Sequence, residues 1–216
     1  MKKINKDILE MSKEYDIPIF MVNMNIPETE REELGEVRGK YKNFIGHMSP
    51  NEKEVGYRLA KYLISKIKKN DNKEIEMVGI SGNREVPVTF NRNFGLVKAA
   101  KEENVKLHQI IYTDWSDGIA YIKTKRLLDR YTNLDAIWYI TDGMALKGKE
   151  AILLNKTKKN IIVGGVDWKK EAILEIKNKN IEASIGGHFT EIGFSLVLLY
   201  DYFNGKDFYK EFGKKI

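Results

Sequence analysis

"NIIVGGVDWKKEAILEIKNKNIEASIG", residues 160–186, decides the fold. A short, continuously apolar run ends at Val166, a helical segment "KKEAILEIKN" follows, and a second short apolar stretch closes at Ile185. Strands apolar on both faces and joined by a helix belong to a parallel sheet covered on both sides. The same strand-then-helix unit recurs in both directions from this stretch. "EIEMVGI" precedes a helix predicted over 87–103, "KLHQIIY" one over 117–131, and "LDAIWYI" precedes "GMALKGKEAILL"; "IEASIG" leads into "FTEIGFSLVLLYDYFNG". Nearer the amino end, "IPIFMV" (17–22) and "NFIGHM" (43–48) read as short buried strands. After the second, Ser49 is the expected N-cap, Pro50 the first helical residue and Glu52 the partner in a capping box, with Val55, Leu59, Leu63 and Ile67 recurring every four residues. The fold class is α/β, doubly wound.

Composition narrows the function. The chain has 216 residues, 42% of them hydrophobic, enough for one large domain or two lobes. Lysine and arginine total 37 against 31 acids, a net charge of +6, but the basic residues alternate with acids or sit at element ends. That pattern describes solvated faces, and no nucleic-acid partner is expected. Cysteine is absent, so there is no disulfide framework and no thiolate metal site; neither a metal nor a cofactor is expected. The amino end "MKKINKDILEMSKEYD" turns amphipathic and charged without an apolar signal-peptide core, and no run approaches the roughly 18 apolar residues of a membrane span.

Doubly wound sheets bind ligands beyond the carboxyl ends of their strands. The residues just past each strand are Asn23 to Asn25, Ser81 to Arg84, Thr113 to Ser116, Thr141 and Asp142, Asp167 and Trp168, and Gly186 to His188, with Arg92 a turn into its helix. An enzyme reading starts from Asp114, Asp117, Asp142 and Asp167, any two of which would suit acid–base chemistry. No G-x-S-x-G, phosphate-binding loop or H-E-x-x-H accompanies them, so the expectation is a binding protein and not an enzyme.

At these residues the chain resembles the sugar-type periplasmic solute-binding proteins of ABC transporters, the ribose- and galactose-binding group related to the ligand-binding cores of LacI-type repressors. "IPIFMVNMNIP", "RNFGL", "TDWSDGIAYIKTKRLLDRYTNLDAIWYITDGMALKGKEAI" and "IIVGGVDWKKEAILEIKNKNIEASIGGHFTEIGFSLVLLYDYFNGKDF" carry the likeness across nearly the whole chain. The resemblance implies a class I periplasmic-binding-protein fold of two α/β lobes. Residues 1–46 and 187–216 would form lobe one, 49–186 lobe two, with crossovers near 47–49 and 186–188. It also implies that lobe one is incomplete, the chain starting inside a helix before that lobe's fourth strand, with an unpaired edge and exposed apolar surface.

The resemblance further implies a sugar-like ligand and a set of residues for it. Arg92 would donate to two hydroxyls, the alternative being a surface helix arginine. Trp115 would stack on a ring, the alternative being a core tryptophan. Asp167 would accept from hydroxyls, the alternative being an N-cap for the following helix. Asn23 takes the place of a ligand-binding acid, Met24 that of an arginine, and Thr141 that of an asparagine, which leaves Asp142 as the helix cap. Trp168 and His188 would supply what those exchanges removed, or simply pack. Gly186 and Gly187 are expected at a hinge or, alternatively, in a tight turn with His188 capping the next helix. The partner would be an ABC-transporter permease or, alternatively, a membrane sensor such as a histidine kinase. The location implied is the periplasm or cell envelope.

Overall fold

The structure is a computed structural model and describes residues 4–23, 26–68, 73–155 and 160–213. It divides into two compact units, Met1–Pro50 with Gly187–Ile216, and Asn51–Gly186.

The larger unit holds five parallel strands, β3 (Glu76–Ser81), β4 (Lys106–Tyr112), β5 (Ala136–Tyr139), β6 (Ile162–Val166) and β7 (Ala183–Ile185), in the order β4-β3-β5-β6-β7. α3 (Glu52–Lys66) leads into β3, and four helices connect the strands: α4 (Pro87–Glu102), α5 (Asp117–Arg130), α6 (Asp142–Leu154) and α7 (Lys170–Lys177). The chain leaves β3 towards β4 and then returns across β3 to β5, so the direction of winding reverses at β3. β5 at the centre is buried along its whole length, and Trp138 and Tyr139 are fully enclosed. Continuous apolar strands form here because both faces are covered; β4, on the sheet edge, is nowhere fully buried.

The helices carry the expected periodicity with one correction at an end. The cap of α3 is Asn51, whose side chain accepts the Glu54 N–H at 3.2 Å, and the helix begins at Glu52. Ser49 and Pro50 are therefore outside it, and no capping box forms. Leu59 and Leu63 are fully buried, as the four-residue repeat predicts, whereas Val55 is only half-buried and Ile67 is the C-cap. α3 and α4 cross closely at Gly56 and Gly95: a β-carbon on either would collide with backbone of the other helix.

The smaller unit contains α1 (Ile4–Glu14), β1 (Ile19–Val22), α2 (Glu28–Leu34), β2 (Phe44–Met48), a 3-10 turn (His188–Thr190), α8 (Glu191–Phe203) and α9 (Phe208–Phe212). β1 and β2 pair in parallel. Leu9, Ile26, Leu34, Tyr41 and Phe44 form its core. Arg38 ties the C-terminal segment to it, donating to Asp207 at 2.7 Å while its guanidinium lies against the rings of Tyr202, Phe208 and Tyr209. α8 is apolar on most sides, and Ile192, Phe194, Leu196, Val197, Tyr200 and Phe203 are each 59–69% exposed.

Candidate functional site

The carboxyl ends of β3 to β7 gather polar side chains, and one buried arginine lies among them. Arg92, in the second turn of α4, is only 4% exposed. Its Nε and Nη2 donate to the two carboxylate oxygens of Glu52, and its Nη1 donates to the Ile140 carbonyl, just past β5, at 3.0 Å. The surface-arginine alternative is thereby corrected, because the close α3–α4 crossing draws the guanidinium inside.

The cap expected of Asp142 is supplied by Thr141. Thr141 is the N-cap of α6, its Oγ1 accepting the Met144 N–H at 3.3 Å. Asp142 is fully buried and reaches sideways, its Oδ2 accepting from the Lys169 N–H at 2.9 Å and the Ser184 hydroxyl at 2.8 Å. It staples the loops after β5 and β6 to β7. Burial pushes its carboxyl above the ordinary carboxylate range, against the opposing pull of those two hydrogen bonds.

Asp167 does not cap α7. Lys169 holds that N-cap position and makes no side-chain capping bond there. The Asp167 carboxylate instead accepts the Asp142 N–H, and burial raises its pKa while nearby Arg92 works in the opposite direction. Trp168 follows, half exposed, its N–H donating to Ser184 Oγ at 3.1 Å and its indole N–H to the Ser184 carbonyl at 3.2 Å. The indole lies on Gly186, where a β-carbon would collide with it. Gly186 is therefore required by close packing. Gly187 has φ 105° with open space around it, and its backbone is one that only glycine adopts freely.

Trp115 stands beyond β4, two strands from β5, with its indole laid on Gly82 and against the core. Asp114 beside it accepts from Asn83 Nδ2 at 2.5 Å. The dipeptides Asp114–Trp115 and Asp167–Trp168 share a backbone peculiarity: all four residues have positive φ, at 53°, 64°, 134° and 58°. Non-glycine residues held there cost on the order of 1–3 kcal/mol each. Two tryptophans are thus fixed at different strand exits of one sheet, with Arg92, Thr141 and Asp167 at exits between or beside them.

Asn23 and His188 belong to the other unit. Asn23 is exposed with φ 60°, its N–H donating to the Met48 carbonyl at 2.9 Å. His188 opens the 3-10 turn, half-buried, its ring 6.3 Å from that of Phe189; the N-cap of that turn is Gly187, so His188 is not a cap. Met24 lies outside the described residues. Sequence reasoning missed Glu52 and Ser184 as parts of the network. Glu52 gave a signal, an acid at a helix start, that also fits a capping box, and Ser184 gave none, since a serine inside a strand points to no partner. Among the described residues no group of three or more His, Asp or Glu forms a metal site, and no helix is long and apolar enough to cross a membrane.

Parallel sheets in two units, with strand ends that present aromatic rings beside hydrogen-bonding groups, define a class of small-molecule binding folds. Residues 3–207 match the periplasmic binding protein domain, and the chain belongs to that family. It has the type I form of the fold, and family members are binding proteins. A periplasmic sugar-binding protein from Pseudomonas fluorescens superposes with a TM-score of 0.82 at 30% identity, over 95% of this chain and 60% of that one. An ABC-transporter periplasmic solute-binding protein from Actinobacillus succinogenes 130z with bound D-allose gives 0.80 at 18% identity, over 93% and 68%. The HTH-type transcriptional regulator MalR of Clostridium butyricum is 23% identical over 208 residues, 90% of this chain and 55% of the relative. The chain thus spans little more than half the length of that relative and 60% of the Pseudomonas protein.

Proposed function

We propose that the chain is the ligand-binding part of an extracytoplasmic solute-binding protein that captures a sugar or sugar-like polar molecule for an ABC transporter, without catalysing a reaction on it. The observation that carries this reading is the pair of strained Asp–Trp dipeptides at the exits of β4 and β6. An indole held at positive φ at a sheet's ligand-binding end offers an apolar face to a sugar ring, while the neighbouring carboxylate and the Arg92 network offer the polar matching that buried hydroxyls need. Gly187, at the boundary between the two units, is the proposed pivot, because its backbone tolerates rotation that other residues resist.

Thermal-shift screening of the full-length protein against aldoses, ketoses and amino sugars, followed by calorimetric titration of the hits, tests the reading. One-site binding is expected, and Trp115→Ala is expected to weaken it about tenfold or more with an unchanged far-UV CD spectrum. Absence of any sugar-induced shift, or unaltered affinity in the Trp115→Ala variant, overturns it. Copurification from native membranes separates the partners: a permease supports transport, and a histidine kinase in its place would make the protein a sensor.

A further inference from the structure

Arg92 lies in the interior of the larger unit with its charge already answered. Glu52 takes both Nε and Nη2, the two side chains being 5% and 7% exposed, and the Ile140 carbonyl takes Nη1 at 3.0 Å. A guanidinium fork is the group best shaped to grip a carboxylate or phosphate, by two parallel N–H bonds. Here the fork faces Glu52.

The surroundings lean the same way. Asp142 and Asp167 stand in the same network, so three carboxyl groups accompany one guanidinium. Asp114 and Asp117 flank the exit of β4. Two other cations in the strand-exit loops, Lys169 and Arg84, are exposed, and the Arg84 guanidinium lies 4.4 Å from the centre of the Tyr112 ring. The N-terminus of α6, a natural anion site by its dipole and open N–H groups, is filled by the protein's own acids. Asp142 is its first residue, and the Asp167 carboxylate accepts the Asp142 N–H. Burial pushes the carboxyls of both residues up, as crowding in an acid-rich interior requires.

We propose that Glu52 is a specificity-determining residue: by neutralising Arg92 from within the fold it makes this site reject anionic ligands, such as uronic acids and sugar phosphates, in favour of polyols bearing only hydroxyls or protonated amines. The inference rests on the sugar-binding reading above and adds the charge class of the ligand. Glu52 acts through Arg92, as a positioning residue, and its neutral isostere exposes the arginine's charge to whatever binds.

Matched triplets test it, each an aldohexose, its 2-amino derivative and its uronic acid, titrated calorimetrically into the full-length protein and into Glu52→Gln. The native protein is expected to bind the aldose or amino member of at least one triplet and the uronic acid at least tenfold more weakly. Glu52→Gln is expected to narrow that ratio tenfold or reverse it. The double variant Glu52→Gln/Arg92→Gln, which removes both charges, is expected to restore discrimination against the uronic acid. Equal affinity of the native protein for aldose and uronic acid overturns the role of Glu52 and leaves the sugar-binding reading standing. An unchanged ratio in a folded Glu52→Gln does the same. If the single variant loses its far-UV CD signal, the native ratio decides alone. Binding of no triplet member by the native protein overturns the sugar-binding reading and this inference with it.

Discussion

Asp142 shows what a single buried carboxyl does to this molecule. It accepts from the Lys169 N–H and the Ser184 hydroxyl, yet its ionised form is disfavoured because the site is desolvated. The sign of its linkage follows: a carboxyl whose folded pKa lies above its unfolded value stabilises the fold at low pH, and that contribution is lost as pH rises through the folded pKa. Asp142→Asn keeps an acceptor oxygen and removes the charge. The variant's Tm relative to the native protein is therefore expected to be most favourable near neutral pH and to fall steadily as both are acidified towards the ordinary carboxylate range. Thermal unfolding by CD at a series of pH values checks this; a Tm difference that is flat with pH, or that grows on acidification, contradicts it. The sequence placed this residue at a strand exit but read it as a cap. Thr141 and Asp142 both suit an N-cap, and only the position of Ser184 on β7 decides which side chain turns away.

At the scale of elements, the crossing of α3 and α4 positions the site. Gly56 lies against the Arg92 carbonyl and Gly95 against the Lys53 carbonyl, so the helices meet backbone to backbone and Glu52 comes within reach of Arg92. Gly95→Ala would push a methyl group into the Lys53 carbonyl and the Tyr57 N–H, neither of which moves without shifting α3. Overpacking of this kind costs about 1–3 kcal/mol, roughly a 2–12 °C loss in Tm for a chain of this size. It also separates Glu52 from Arg92, so ligand affinity is expected to fall further than the stability loss alone explains; differential scanning calorimetry and titration of the same variant measure the two effects. The strands and long helices here were legible because continuous apolar runs and four-residue repeats report burial directly. α2 was not, since "ETEREEL" buries little besides Leu34 and offers no apolar period. The start of α3 was misplaced by two residues because Ser49, Pro50 and Asn51 each carry a helix-start signal. Asn51 satisfies the Glu54 N–H, and Glu52, not needed for a capping box, is left to pair with Arg92. The order of the strands reaches the sequence only through the reversal at β3, and the Arg92–Glu52 pair joins residues 40 positions apart, which no local pattern encodes.

The molecule as a whole rests on two cores of unequal depth that have no residue in common. One runs through the five-stranded sheet and its helices, from Leu59 to Ile181. The other consists of Leu9, Ile26, Leu34, Tyr41 and Phe44, with Met21 and Val37 against it, beneath a two-stranded sheet. Apolar burial is the chief stabilising term and scales with area, and a pair of strands is marginal unless packed against other elements. α8 contributes little to that smaller core, since Ile192, Phe194, Leu196, Val197, Tyr200 and Phe203 leave most of their surface to solvent and only Ser195 of the helix is buried. Opening free energies should therefore differ between the units. Native-state hydrogen exchange is expected to show the amides of β1 and β2 exchanging well before those of β3 and β5, with the central strand β5 slowest. A saturating ligand bound at the strand ends of the larger unit should slow exchange there, by mass action on the native state, by about 100-fold at a free concentration 100 times Kd. Concerted exchange of all four strands at one rate would mean that the two cores open as one, and the separate stabilities argued from their contents would be wrong.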